Sequence, residues 1–267
     1  MTFDALLDEL QVPADDIVYV QSSMDWVRRA GFDAPEVMRA LRARVGASGT
    51  LVMPTYPFRT TQLEYLTRRP TYDVVRTPAA VGLLAELFRR APDAQRSLDP
   101  DFCISAAGSA ASEIVRTDAR ELDPFGRRST YERLLQRGAT LLGIGVSLNT
   151  NSFIHVIDSM LAPSYQFPVY CDDLFDATVI DRDGHAAAVR RRALRPELQR
   201  LTRPSAIAER VGGDEKMFSH RVVAGASFFR WNLTAWRAWC LDHAAAMLRE
   251  GAVPCWLTRL TEGCGAA

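Results

Sequence analysis

The chain has 267 residues, of which 48% are hydrophobic and 24% charged, the proportions of an ordinary folded protein. This composition excludes a mainly disordered chain, and the length argues against a lone small binding module. The 32 basic and 32 acidic residues cancel, so the chain lacks the positive field that favours nucleic acids and anionic membranes as partners. Only Lys216 among the basic residues is a lysine. We attribute this excess of arginine to genome composition, although arginine also forms paired hydrogen bonds with phosphates and carboxylates.

The cysteines and the first residues bear on the cellular compartment. The N-terminal segment is acidic and amphipathic, without the basic start and apolar run of a signal peptide, and no stretch of about 18 apolar residues occurs. The cysteines are odd in number and lack CxxC or zinc-type spacing. We therefore expect a cytoplasmic protein without a membrane segment, a structural metal or a disulfide framework. The cysteines are Cys103, Cys171, Cys240, Cys255 and Cys264.

Helical and extended patterns alternate through the first 160 residues. The runs IVYV at 17–20 and TLVMP at 50–54 are typical of buried strands, and a helix from Asp33 to Val45 is predicted between them. A further helix is predicted to open at Thr77-Pro78, because proline is common in a first helical turn. This alternation predicts an α/β layered fold with a central mixed β-sheet flanked by helices.

The pattern changes in the C-terminal half. An Asp183-Gly184 turn between two extended runs predicts a hairpin at the surface or at a sheet edge. A final helix is predicted at 233–249, closed by Gly251, with a tryptophan-rich stripe that we assign to core packing. Because no stretch resembles a linker, we predict one domain over 1–267, consisting of an α/β part at 1–165 and an elaborated half at 166–267.

His155 has the most informative surroundings of the four histidines. A helix capped by Asn151 or Ser152 would place His155 in its first turn. Asp158 would then share a face with His155, so that the carboxylate could accept the ring N–H and leave the other nitrogen to take a proton. This spacing is typical of a general base with an orienting partner. The alternative is a structural histidine with a fortuitous neighbour.

The remaining histidines carry weaker predictions. His185 lies beside the predicted hairpin turn and His243 lies within the final helix, and both are interpreted as structural. His220 follows a Gly-Gly break and could face a cleft.

A second polar cluster lies in the run DPFGRRST from Asp123 to Thr130. A tight turn, a helix with Ser129 and Glu132 in capping-box positions, and two arginines could together hold a phosphate or an acyl-carrier arm. The alternative is a plain capped helix. The run Gln21-Ser22-Ser23 offers similar polar groups at the end of the first strand, where a simple turn is the alternative.

Five motifs, in order, resemble the antibiotic N-acetyltransferase family, which includes the aminoglycoside 3-N-acetyltransferases. They are VYVQSSMDWVRRAG, GASGTLVMPTYPF, RSLDPDFCISAAG, DPFGRRSTYERLLQRGATLLGIGV and NSFIHVID, and they cover about residues 15–165. The resemblance implies acyl transfer from acetyl-CoA to an amine of a small molecule, in an α/β fold distinct from the GNAT acetyltransferases and without a metal. The acceptor would be an aminoglycoside-like antibiotic or a natural-product intermediate.

The resemblance also assigns roles to individual residues. It implies that His155 is the general base and Asp158 its partner, and that Tyr56 and Asp123 lie near the acceptor. The residues that it places around coenzyme A are Ser22, Ser23, Phe125, Gly126 and Ser129.

Two positions depart from the family pattern. Asp158 stands where glutamate is common, and Cys103 stands at a serine position. The second departure raises an alternative in which Cys103 carries the acyl group, or in which a carrier-protein thioester replaces coenzyme A. A buried strand cysteine is the simpler interpretation. A third alternative is a non-catalytic, ligand-binding member of the family.

The region after Tyr165 lacks a clear resemblance, so the acceptor pocket is open at this stage. Three acids on a predicted loop, Asp172, Asp173 and Asp176, could serve a cationic aminoglycoside or simply face water. The expected partners are a small-molecule amine and possibly a carrier protein, with no nucleic acid and no membrane. The expected assembly is a monomer or a homodimer.

Overall fold

A computed structural model describes residues 1–118 and 120–258 of the chain. Its strands form two sheets, one of seven strands and one of three. The strands are β1 (Ile17–Ser22), β2 (Thr50–Pro54), β3 (Thr71–Asp73), β4 (Gln95–Arg96), β5 (Ile104–Gly108), β6 (Thr140–Ile144), β7 (Tyr170–Ile180), β8 (Ala186–Leu194), β9 (Phe218–Val223) and β10 (Ala226–Asn232).

The helices cover both faces of the large sheet. They are α1 (Phe3–Glu9), α2 (Met24–Arg29), α3 (Ala34–Val45), α4 (Gln62–Thr67), α5 (Leu83–Arg89), α6 (Ala111–Ile114), α7 (Thr130–Gln136), α8 (Ile154–Leu161), α9 (Pro196–Leu201), α10 (Ser205–Val211) and α11 (Leu233–Arg249), with a short 3-10 turn at Ala162–Ser164 after α8.

The seven-stranded sheet is mixed, with the order β4-β5-β2-β1-β6-β10-β9. Its centre is parallel, because β1 pairs in parallel with both β2 and β6, and antiparallel strands extend it on either side. The central strand β1 is almost entirely buried, as expected for a parallel strand covered on both faces. The predicted mixed α/β architecture is confirmed.

Alternate side chains of β1 belong to two different hydrophobic cores. Val18 and Val20 pack with α1, α3 and α5 on one face of the sheet. Tyr19 packs on the other face with α7, α8 and α11. This alternation follows from the two-residue repeat of a strand, and it places α7 and α8 over the same sheet face.

One helix start was predicted wrongly. Residues 74–82 form no helix, and α5 begins at Leu83 rather than at Thr77-Pro78. The Asp73 carboxylate accepts the backbone N–H groups of Val75 and Arg76, and the Thr77 hydroxyl accepts the N–H of Asp73. These bonds close a turn that competes with helix nucleation.

The C-terminal predictions are largely confirmed. The hairpin exists, but its strands β7 and β8 belong to a separate three-stranded sheet with β3, and β7 already begins at Tyr170. The final helix α11 has the predicted bounds, and its buried stripe includes Trp236 and Cys240. Asn232 caps α11 by accepting the backbone N–H of Ala235.

Gly143 of β6 leaves space for an aromatic ring of the neighbouring strand. It is paired with Phe229 of β10, and a Cβ at this position would lie 2.2 Å from the Phe229 ring. The Phe229 ring is fully buried.

Replacing Gly143 by alanine is therefore expected to lower the free energy of unfolding by about 1–3 kcal/mol through overpacking. Urea unfolding followed by circular dichroism measures this change. The matched control is Gly212→Ala, where the nearest atom to a new Cβ lies at 3.4 Å. Equal unfolding midpoints for the two variants would contradict the packing that we describe.

Candidate active site

The candidate site lies at the carboxyl ends of β1 and β6, which are parallel neighbours. Such ends are where α/β sheets commonly bind ligands. Ser22 is the last residue of β1, and the backbone N–H of Ser23 donates to the carbonyl oxygen of Ile144 at 3.0 Å. After β6, Gly145 adopts a left-handed conformation (φ 67°) and leads into the loop before α8.

The predicted histidine and aspartate meet on α8. His155 Nδ1 lies 3.4 Å from Asp158 Oδ2, which is ion-pair range but longer than a directed hydrogen bond. Catalytic hydrogen bonds are commonly long before substrate binds. The predicted cap was wrong in detail, because Phe153 precedes the helix and Asn151 Oδ1 instead accepts the Phe153 N–H in a short turn.

Two side-chain donors, one of them fully buried, hold the carboxylate of Asp158. Its Oδ1 accepts the hydroxyl of Tyr165 at 3.0 Å and the indole N–H of Trp256 at 3.1 Å. Asp158 is fully buried, so these bonds replace water. With Oδ1 occupied in this way, Oδ2 is the oxygen that faces His155. Burial raises the pKa of the Tyr165 phenol, which therefore stays a proton donor.

Phe125 connects the histidine to the loop before α7. The Phe125 and His155 rings pack at a centroid distance of 5.3 Å. The next residue, Gly126, packs closely, since a Cβ there would lie 2.4 Å from a carboxylate oxygen of Glu121. Phe125 and Gly126 also line a cavity of about 370 Å³ that reaches Val156 on α8. The structure thus brings these two predicted residues together with His155.

Ser129 is the N-cap of α7, as predicted. Its hydroxyl accepts the backbone N–H of Glu132 at 3.1 Å. The other half of the capping box is missing, because the Ser129 N–H donates to Gly126 and the Glu132 side chain accepts from Gln136. Ser129 borders a second cavity, of about 550 Å³, next to the one that Phe125 lines.

Tyr56 belongs to a cluster of buried phenols. Its hydroxyl contacts those of Tyr19 at 3.3 Å and of Tyr131, and it lies 3.1 Å from the Ser152 hydroxyl. Gln21 also donates to Ser152. This network joins the ends of β1 and β2 to the loop before α8. Burial raises the pKa of Tyr19, Tyr56 and Tyr131.

Asp123 lines the 370 Å³ cavity and is paired with an arginine. Its carboxylate lies 3.4 Å from Arg192, and burial raises its pKa. The three acids predicted on a loop instead lie on β7 and are exposed. Asp172 lies 3.6 Å from Arg195, and Asp176 is paired across the strands with Arg190.

Sequence reasoning missed several members of the site. Trp256 and Tyr165 are distant in sequence from the histidine motif, and no local pattern marks them as donors to Asp158. Tyr19 and Tyr131 follow ordinary core spacing and carried no polar signal. Their roles depend on tertiary contacts alone.

The other histidines contact neighbouring groups in ways that support the fold. His220 lies on β9 and contacts the Ser227 hydroxyl at 3.0 Å, so it does not join the site around His155. His243 accepts the backbone N–H of Cys255 and stacks on Trp239.

One set of potential metal ligands occurs among residues 1–118 and 120–258. Asp181, Asp183 and His185 bring single ligand atoms within 4.8 Å of one another on the hairpin turn. The Asp181 carboxylate accepts the backbone N–H groups of the other two, which explains the cluster as a closed turn.

Cys103 lies in a different environment from His155. Its side chain is fully buried in a small cluster with Tyr72, and its thiol donates to the Thr55 carbonyl oxygen at 3.0 Å. Burial raises the pKa of the thiol. Such a thiol is protonated and shielded from solvent, whereas a nucleophilic cysteine requires an accessible thiolate.

This environment predicts that Cys103 resists alkylation by iodoacetamide at pH 8.5 in the folded chain. The half-buried Cys171 serves as the internal comparison and should be labelled first. Peptide mass mapping after short exposure measures both sites, and unfolding in urea should make Cys103 reactive. Labelling of Cys103 as fast as that of Cys171 in the folded chain would restore the acyl-cysteine alternative.

Comparison with known families decides the relationship. A sequence model described as aminoglycoside 3-N-acetyltransferase matches residues 19–230. The chain belongs to the aminoglycoside 3-N-acetyltransferase family. The resemblance of the five ordered motifs is thereby confirmed. No helix in residues 1–118 and 120–258 is both long and apolar enough to span a membrane.

Individual members of the aminoglycoside 3-N-acetyltransferase family agree in sequence and fold. Aminoglycoside N(3)-acetyltransferase IV from Salmonella sp is 30% identical over 176 residues, 65% of this chain and 64% of that protein. The match thus spans less than two thirds of the relative. A mutant of aminoglycoside acetyltransferase AAC(3)-IVa in complex with a gentamicin has a TM-score of 0.71 at 24% identity, covering 94% of this chain and 92% of its own. AAC-IIIb in a binary complex with CoASH has a TM-score of 0.69 at 20% identity, covering 88% and 91%.

Proposed function

We propose that this protein is an acyltransferase that moves an acetyl group from acetyl-CoA to an amine of a small molecule, with His155 as the general base. The observation that carries the proposal is the pairing of His155 with the buried Asp158. Oδ2 of Asp158 faces His155, and Oδ1 accepts hydrogen bonds from Tyr165 and Trp256. The names of the relatives and the CoASH complex of a structural neighbour support the same class of reaction.

The reaction needs a group that takes a proton from the amine. Amines arrive mainly as ammonium ions, and only the neutral amine attacks a thioester carbonyl. With Nδ1 of His155 facing Asp158, Nε2 is the nitrogen that accepts this proton. The nitrogen forms the N–C bond of a tetrahedral intermediate, whose collapse breaks the C–S bond. The coenzyme A thiolate leaves with the proton returned by the imidazolium, and the second proton that the ammonium group loses on becoming an amide passes to solvent.

Asp158 orients the base and stabilises its charged form. A carboxylate beside Nδ1 selects the tautomer that leaves Nε2 unprotonated, and it favours the imidazolium that forms during the reaction. Because Oδ1 is already occupied, the carboxylate cannot turn away from the ring without breaking two hydrogen bonds.

The same proposal assigns the coenzyme A site to Ser22, Ser23, Phe125, Gly126 and Ser129. The loop carrying the last three lies between the two cavities and contacts the His155 ring through Phe125. The backbone N–H of Ser23 already donates to Ile144, so it is not a free donor for the oxyanion of the tetrahedral intermediate.

We infer that the acceptor lies near Tyr56 and Asp123 and carries few positive charges. A polycationic aminoglycoside needs several carboxylates without cationic partners. Here Asp123 and Asp172 each lie beside an arginine, and Glu132 lies 3.4 Å from Arg237. Glu121, which lines the same cavity as Asp123, has no basic side chain within 4.0 Å among residues 1–118 and 120–258 and accepts only backbone N–H groups. One carboxylate thus remains for an ammonium group, which favours a natural-product intermediate with a single amine over a polycationic aminoglycoside.

We also propose that residues 1–165 and 166–267 work as one acyltransferase domain. Trp256 belongs to the second part, yet its indole holds the catalytic aspartate of the first part. The alternative with an acyl-Cys103 intermediate receives no comparable support, because the thiol is buried and its pKa is raised. A carrier-protein donor and a purely ligand-binding role remain alternatives to the proposal.

The test is a thiol-release assay with acetyl-CoA and a panel of amines. His155→Ala is expected to lower turnover by about 10²–10⁴-fold, because the general base is lost. Its calorimetric Kd for acetyl-CoA should stay within about threefold of the wild-type value, since His155 acts on the proton rather than on the donor.

The matched control is His185→Ala, whose side chain is 80% exposed on the hairpin and should leave turnover unchanged. Amines with one ammonium group should be acetylated with higher kcat/KM than gentamicin. Undiminished turnover by His155→Ala would refute the role of the base, and a preference for gentamicin would refute the charge argument.

A further inference from the structure

The segment after α11 carries the indole that binds Asp158. We call residues 252–258 the strap. Main-chain hydrogen bonds attach the strap to the end of α9 and to the residues that precede α10. The N–H of Thr258 donates to the carbonyl oxygen of Leu201 at 3.0 Å, and the N–H of Arg203 donates to the carbonyl oxygen of Trp256 at 2.6 Å. The strap is therefore held by its backbone on one side and presents Trp256 to α8 on the other.

The hydrogen bond from Trp256 to Asp158 is specific and does not follow from burial alone. The Trp256 side chain is fully buried, and its indole N–H donates to Oδ1 of Asp158 at 3.1 Å. Trp231 and Trp236 are buried to the same degree, yet their indole N–H groups find no acceptor among residues 1–118 and 120–258. Of these three buried indoles, only that of Trp256 reaches the acid-base pair.

A histidine of α11 attaches the strap through a bond that depends on protonation. Nε2 of His243 accepts the backbone N–H of Cys255 at 3.1 Å, one residue before Trp256. Only a neutral imidazole with its proton on Nδ1 can accept in this way. A proton on Nε2 would place two donors against each other, so the imidazolium cannot keep this bond.

The surroundings of His243 favour the neutral imidazole. The ring stacks on Trp239 of its own helix at a centroid distance of 4.8 Å, and the Trp256 ring of the strap lies at 6.0 Å. Among residues 1–118 and 120–258, no carboxylate lies within 4.0 Å of His243. Burial and the positive charge of Arg210 on α10 lower the pKa of His243, and burial raises the pKa of the neighbouring Cys255 thiol. Both groups are therefore uncharged at neutral pH, and His243 takes a proton only as the pH falls.

We propose that Trp256 is a positioning residue for the acid-base pair and that His243 keeps it in position only while its imidazole is neutral. The assignment rests on the proposed acetyl-transfer function. Protonation of His243 breaks the bond to Cys255, and the strap then no longer holds the indole against Oδ1 of Asp158. The carboxylate loses one of its two anchoring donors and can turn away from His155. Trp256 and His243 thus act through Asp158 and touch no reacting atom.

The positioning role is tested by removing the indole N–H. Trp256→Phe is expected to lower kcat about 10–100-fold, because a hydrogen bond to a charged group is lost, and to leave the KM for acetyl-CoA within about threefold of the wild-type value. The matched control is Trp236→Phe, which makes the same exchange at a buried indole without an acceptor. The control should keep kcat within about threefold, and thermal unfolding should show that both variants fold.

The role of His243 is tested by an acceptor that does not titrate. In His243→Gln the side-chain carbonyl can accept the Cys255 N–H at every pH. The ratio of kcat for this variant to that of the wild type should be near one at about pH 7.5. As the pH falls it should rise toward the factor lost in Trp256→Phe, and the titration of His155, which both chains share, cancels in this ratio.

The indole N–H resonance of Trp256 gives a readout that needs no turnover. Its signal in the ¹⁵N–¹H spectrum is identified by its absence in Trp256→Phe. In the wild type it should shift with a transition that His243→Gln lacks, whereas a transition caused by His155 would persist in both. His243→Leu, which offers no acceptor, should show the acid form of the signal already at about pH 7.5.

Three results would overturn the proposal. Wild-type kcat in Trp256→Phe would remove the positioning role, and an equal loss in Trp236→Phe would make the effect one of general packing. The same pH dependence of the Trp256 resonance in the wild type and in His243→Gln would remove the role of His243. A chain that acetylates no amine, but whose indole resonance follows His243, would contradict the proposed function alone, so the two failures are distinguishable.

Discussion

A carboxylate fully removed from water constrains the architecture around the proposed active site. The oxygens of a carboxyl group at this depth must be satisfied by protein groups, since an unpaired buried polar group is strongly destabilising. Tyr165 and Trp256 satisfy one oxygen and His155 faces the other. Three separate segments thus converge on one side chain, and the orientation of the histidine follows from how that carboxylate is held.

The sheet supplies the place where this convergence occurs. Parallel pairing of β1 and β6 brings the polar end of one strand beside the loop that precedes α8. The phenol cluster of Tyr19, Tyr56 and Tyr131 fills the space beneath that loop, and Ser152 connects it to the loop. These hydrogen bonds hold the first turn of α8 in position relative to the strand ends.

Charges divide the surroundings of His155 into two different regions. Of the carboxylates that line the 370 Å³ cavity, Asp123 and Glu132 lie beside arginines, whereas Glu121 has no basic side chain within 4.0 Å among residues 1–118 and 120–258. The neighbouring 550 Å³ cavity is lined by five arginines and one carboxylate. A neutral overall sequence therefore conceals a local separation of charge.

The sequence was informative wherever the signal is local. Hydrophobic periodicity and caps predicted α3, α11, β1 and β2, and helical spacing alone brought His155 and Asp158 to one face. The helix start at Thr77 failed because a side-chain turn closed by Asp73 competes with the proline signal. Trp256 could not be predicted, because its role arises only when the chain end folds back onto α8.

The sequence likewise did not predict that five arginines line the 550 Å³ cavity. Arg127 and Arg128 were noticed because they follow a tight turn beside a helix cap. Arg116 and Arg120 lie in a separate loop with no motif, and Arg133 follows ordinary helix composition. Only folding brings these side chains around one cavity. Charge clusters assembled from several loops require the three-dimensional structure for their recognition.

The central claim is that Asp158 acts through His155, and a double-mutant cycle tests it most directly. Acetyl transfer from acetyl-CoA to the amine that the wild type acetylates fastest would be measured for His155→Ala, Asp158→Asn and the double variant. If the two residues work as a unit, the double variant should be no slower than His155→Ala alone. Multiplication of the two single effects in the double variant would contradict the account, because Asp158 would then contribute independently of the base.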